Sequence, residues 1–109
     1  MELRFKNSKI KKQCEDPKRA QRDFGLRMGT VLTQRVAELW AATCLLDIKF
    51  ISAARLHRLK GDRKYQYAVD LVNPYRLVFE PLLQDGVEIW DLDRIDIIRI
   101  EQVVNYHGK

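Results

Sequence analysis

Ten residues, Arg55-Leu56-His57-Arg58-Leu59-Lys60-Gly61-Asp62-Arg63-Lys64, bring together five cationic side chains and one of the two histidines of the chain. Cations held on a folded edge neutralise phosphate oxygens, and an imidazole among them can exchange a proton near neutral pH. Leu56 and Leu59 tie this stretch to a core, so it is not a loose basic tail. Two further polar groups stand where packing explains them poorly. Arg76 is a lone cation in the apolar run Tyr75-Arg76-Leu77-Val78-Phe79, and Asn105-Tyr106-His107 finishes an otherwise apolar segment. In a strand, Asn105 and His107 would share one face and Tyr106 would take the other. Each group has a bland reading of its own: a solvated hairpin corner, an arginine paired with an acidic neighbour, an incidental terminal histidine.

These groups must be positioned by one domain spanning residues 1–109, since 109 residues build a single core and not two. An apolar share of 46% with 32% charged residues describes a soluble globular chain and not a disordered one. The net charge of +5 is unevenly spread. Residues 1–35 hold ten Lys/Arg against four Asp/Glu, and residues 55–64 hold five against one, whereas residues 65–109 hold four against eight. That asymmetry points to a polyanionic partner. Cys14 and Cys44 lack metal-ligand spacing and read as free thiols. No apolar run approaches the roughly 20 residues of a membrane span, and the charged N-terminus has no signal-peptide core. The expected location is the cytoplasm, with no membrane contact and no cofactor.

Leu3-Arg4-Phe5 reads as a first strand. Ser8 is the expected cap of a short helix, Lys9 to Glu15, ended by Asp16-Pro17. A second helix is expected from Pro17 to about Leu45, with Phe24, Met28, Val31, Leu32, Val36, Leu39, Trp40 and Thr43 as its buried stripe. Lys18, Arg19, Arg22, Arg27 and Arg35 fall on its outer side, and Gly25 and Gly29 permit close packing or a bend. Asp47 to Ala54 reads as a partly extended connection. Residues Tyr65 to Val72 alternate, Asn73-Pro74 turns the chain, and Tyr75 to Glu80 forms the partner strand. Pro81 to Asp93 reads as an acidic loop, and Ile95 to Tyr106 as a central strand covered on both faces. The expected fold is α+β, with two N-terminal helices packed on a small antiparallel β-sheet.

Taken together, Arg-Leu-His-Arg-Leu-Lys-Gly-Asp-Arg-Lys, a following strand, Tyr-Arg-Leu-Val-Phe and the closing Asn-Tyr-His resemble the HigB-type toxins of type II toxin–antitoxin systems, within the RelE/ParE superfamily. The resemblance covers nearly the whole chain. It implies a RelE/ParE-like fold and a ribosome-dependent mRNA endonuclease (an mRNA interferase) neutralised by a cognate helix-turn-helix, HigA-like antitoxin. Operator DNA would be met only through the antitoxin complex. On the same resemblance, His57, Lys60, Arg76, Tyr106 and His107 fall on family site positions. Position 105 departs from the pattern, since Asn105 replaces an aspartate and cannot exchange a proton as a carboxylate does.

The residue types suit RNA cleavage without a metal. A base must take the 2′-hydroxyl proton, an acid must protonate the leaving 5′ oxygen, and cations must hold the phosphorane charge. His107 or His57 is the expected base and the other the acid. Lys60 and Arg76 face the charge, and Tyr106 stacks on a base or positions the phosphate. Arg55, Arg58, Arg63 and Lys64 form a general RNA grip, and no metal-ligand set is expected. Two rival readings share this fold: a ParE-like gyrase inhibitor, for which paired histidines have no use, and a decayed toxin keeping only antitoxin binding and promoter regulation, to which Asn105 lends weight.

Overall fold

The computed structural model describes residues 1–105, so Tyr106 and His107 lie outside the described residues. Asn7, not Ser8, caps the first helix, α1 (Ser8–Glu15), its side-chain oxygen accepting from the Ile10 amide at 3.0 Å. Asp16 both ends α1 and caps α2 (Pro17–Phe24), accepting from the Lys18 amide at 3.0 Å, with Pro17 in the first turn as expected. Gly25 takes φ 87°, which breaks the helix expected to run on to Leu45 into α2 and α3 (Leu26–Ala41). At Gly29 the two helices meet backbone to backbone: a β-carbon there would lie 2.7 Å from Gln21 Cα.

The expected connection after Asp47 is largely helical instead. Leu45 and Ile48, three residues apart, bury together in α4 (Leu45–Lys49), and a 3₁₀ turn follows at Ser52–Ala54. Among the described residues the helical layer therefore holds four α-helices and not two.

The strands are β1 (Glu2–Phe5), β2 (His57–Arg58), β3 (Tyr67–Asp70), β4 (Tyr75–Pro81) and β5 (Ile97–Asn105), in the spatial order β1-β5-β4-β3-β2. β2 to β5 pair antiparallel, but β1 lies parallel to β5, so the sheet is mixed where an antiparallel one was expected. Most of the chain separates β1 from β5, so no tight turn dictates their relative direction. The acidic loop after Pro81 is anchored at its far end, where the buried Tyr67 hydroxyl donates to the Ile89 carbonyl at 2.9 Å.

One sheet face carries the core. Tyr67, Val69, Leu77, Phe79, Ile98 and Ile100 pack under Ile10, Ala20, Leu32, Val36, Leu39, Leu45 and Ile48 of the helices. Two residues of α3 depart from the expected stripe. Trp40 is half exposed, and Arg35 is buried where an outward arginine was expected. The spacing Met28, Leu32, Arg35, Leu39 keeps Arg35 on the inward side, and its guanidinium finds acceptors there. Nε donates to the Asp70 carbonyl at 2.8 Å, Nη2 to the Ala53 carbonyl at 3.0 Å, and Nη1 to Glu38 at 3.2 Å.

The other face holds a small cluster of Leu59, Ala68 and Val78, with Val104 packed against it, and among the described residues no helical residue joins it. β5 is thus covered by helices on one side only. A bulge in β5 decides what it shows to each side. Val78 pairs with Gln102 but Phe79 pairs with Ile100, leaving Glu101 as the extra residue.

Candidate functional site: the open face of the sheet

Cross-strand partners share a face, so the register assigns the side chains of the open face. His57, Ala68, Val78 and Gln102 form one row across β2 to β5, and Asp70, Arg76 and Val104 form the next. Asp70 is the hub of the second row. Its carboxylate accepts the fork of Arg55, from Nε at 2.6 Å and from Nη2 at 3.0 Å, while Arg76 Nε lies 3.5 Å away. The acidic neighbour anticipated for Arg76 is therefore Asp70. On the first row Arg63 reaches over the face to Gln102, whose amide oxygen, turned toward the guanidinium, accepts from Nη2 at 2.6 Å and Nη1 at 3.0 Å.

His57 is held by its backbone neighbour. Its Nδ1 lies 2.8 Å from the Arg55 carbonyl. A carbonyl only accepts, so Nδ1 carries a hydrogen, and Nε2 is the nitrogen left to exchange a proton. Nε2 is enclosed and has no hydrogen-bond partner among the described residues. A small apolar floor, three arginines and one oriented imidazole thus share a single face. Such a surface can hold a phosphodiester by its non-bridging oxygens with an imidazole beside it.

The other residues singled out from the sequence scatter. Lys60 is exposed where the 3₁₀ turn Gly61–Arg63 begins, with no side-chain ion pair among the described residues. Arg58 shares the face of Tyr67, away from His57, and its Nε donates to the Lys64 carbonyl at 2.7 Å, bracing the turn. Lys64 sits over the Tyr65 ring, 5.2 Å from its centroid. Asn105 pairs with Tyr75, which lines a hollow with Phe24, Met28 and Val72 on the helical side. The bulge at Glu101 thus places Asn105 on the opposite side of the sheet from His57 and Arg76. Tyr106 and His107 lie outside the described residues.

Two contributors escaped the sequence reading. Asp70 had a usable signal, since equal steps either side of Asn73 in the Asn73-Pro74 hairpin pair residue 70 with residue 76. Gln102 had none, because its face depends on the bulge. Among the described residues no group of three or more His, Cys, Asp or Glu side chains is set to hold a metal ion. No helix among them is long and apolar enough to cross a membrane. Compared with models of known protein families and with curated proteins, the chain matches none.

Proposed function

We propose that the protein is the toxin of a type II toxin–antitoxin system, with a RelE/ParE-like fold, and that it cuts mRNA on the ribosome. The observation that carries this reading is the open sheet face, where Arg55, Arg63 and Arg76 share one surface with an imidazole whose Nδ1 is held and whose Nε2 has no partner among the described residues. In the reaction, the 2′-oxygen attacks the adjacent phosphorus and gives its proton to a base, His57 or His107. The bond to the 5′ oxygen breaks, that oxygen takes a proton from the other histidine, and a 2′,3′-cyclic phosphate remains. The arginines and Lys60 hold the charge of the phosphorane. Tyr106 stacks on a base beside it. No metal enters these steps. The partners are the ribosome, mRNA and a helix-turn-helix antitoxin whose acidic segments meet the same cations.

A second reading, a decayed toxin that binds its antitoxin without cutting RNA, draws support from Asn105, which lacks a carboxylate and faces the helices. Induction without the antitoxin, with mRNA 5′ ends mapped in translating cells, separates the two. Cleavage within codons that is lost in His57→Ala, with the fold intact, supports the nuclease. Growth arrest with uncut mRNA and altered supercoiling supports a gyrase inhibitor instead, and no arrest supports the decayed toxin.

A further inference from the structure

Arg55 is the one non-glycine residue with positive φ among the described residues, at φ 44° and ψ 58°. The β-carbon disfavours this left-handed conformation, so neighbours must hold it. The Arg55 amide donates to the Ser52 carbonyl at 3.1 Å, closing the 3₁₀ turn. Its guanidinium is gripped by both oxygens of Asp70, and its carbonyl receives the Nδ1 hydrogen of His57. Buried Arg35 bonds the carbonyls of Ala53 and Asp70, and so fastens together the two segments that meet in this ion pair.

A neutral imidazole in water favours the hydrogen on Nε2, so the tautomer seen here depends on the Arg55 carbonyl being where it is. We propose that Asp70 is a positioning residue for His57. By clamping the Arg55 guanidinium, it holds residue 55 in the left-handed conformation whose carbonyl keeps the His57 hydrogen on Nδ1 and leaves Nε2 for proton transfer. The catalytic consequence rests on the nuclease reading, but the tautomer itself does not.

The test reads the tautomer directly, by ¹⁵N–¹H correlation spectra of the imidazole in the full chain, at a pH where the ring is neutral. In the unmodified protein the Nδ1–H form dominates. Asp70→Asn, nearly isosteric, and Arg55→Lys, which keeps the charge but loses the fork, each turn most of the population to Nε2–H while the backbone amide spectrum stays folded. If Asp70→Asn fails to fold, Arg55→Lys, at an exposed side chain, carries the same readout. Folded spectra with the Nδ1–H form still dominant in both variants overturn the proposal. Where cleavage is observed, Asp70→Asn lowers its rate constant by about 10²-fold with substrate affinity little changed, the scale of a lost proton-transfer group. If the unmodified protein cuts no RNA, the nuclease reading fails while the tautomer result still stands or falls by itself.

Discussion

Gly29→Ala sets two effects of opposite sign against each other. Alanine is the better helix former, by about 1 kcal/mol in a helix interior. Against this, the new β-carbon would lie 2.7 Å from both Cα and N of Gln21 and 2.8 Å from the Ala20 carbonyl carbon, where ordinary contact begins at 3.4 Å. All three neighbours are backbone atoms of α2, so no flexible side-chain end can give way. The whole of α2 must retreat from α3, and overpacking of this kind costs about 1–3 kcal/mol, at the upper end when backbone is displaced. The net expectation is a loss of about 1–2 kcal/mol. For a domain of this size that lowers the melting temperature by roughly 5–10 °C. Urea unfolding should show a lower midpoint with an unchanged slope, since the surface exposed on unfolding is the same. An alanine variant as stable as the parent, or more stable, would refute the close contact of α2 and α3 and let helix propensity win.

Arg35→Met removes a buried donor from the Asp70 and Ala53 carbonyls and leaves Glu38 without its cation, so a loss of about 3–5 kcal/mol is expected in denaturant unfolding. A change below about 1 kcal/mol would mean that water or a shifted side chain replaces those bonds. Burial, reinforced by the nearby Glu15 charge, pushes the Cys14 thiol up to about 12, so at neutral pH a thiol reagent should label Cys44 while Cys14 stays unmodified until the protein unfolds. Equal labelling rates in the native state would contradict that burial. Asp23 accepts hydrogen bonds first from Gln13, then from Arg19 and Arg22, which hold its carboxyl down to about 2 from an ordinary 3.8. A depressed carboxyl stabilises the fold above its unfolded value, so this contribution is complete above pH of about 3.8 and disappears as pH falls through about 2. In Asp23→Asn that part of the acid-unfolding curve should be absent; an unchanged curve would remove Asp23 from the linkage.

Local patterns made most elements legible. Period two marked β3 and β4, a run rich in Ile and Val marked β5, Asn73-Pro74 marked the hairpin of β3 and β4, and Pro17 marked the start of α2. Errors came where a residue's environment lies far away in the chain. Arg35 reads as an outer-face cation until its acceptors are known, and those belong to residues 18 and 35 positions along the chain. Trp40 reads as core until the closed fold leaves it half exposed. The short repeat of Leu45 and Ile48 is too brief to announce α4 before a core exists to receive it.

The candidate site divides in the same way. The sequence by itself determined that cations and a histidine cluster in one edge segment, that Arg76 stands in an apolar strand, and that the chain ends in polar chemistry. Only the tertiary structure decided which of these share a surface. Strand alternation assigns two faces but not their contents beyond a bulge, and one extra residue at Glu101 carries Gln102 to the side of His57 and Asn105 away from it. It also decided that Arg55 and Arg76 meet on one carboxylate, Asp70, because the 3₁₀ turn and the hairpin bring residues 55, 70 and 76 together. Composition could not show that meeting, since the ion pairs form only once the sheet has closed.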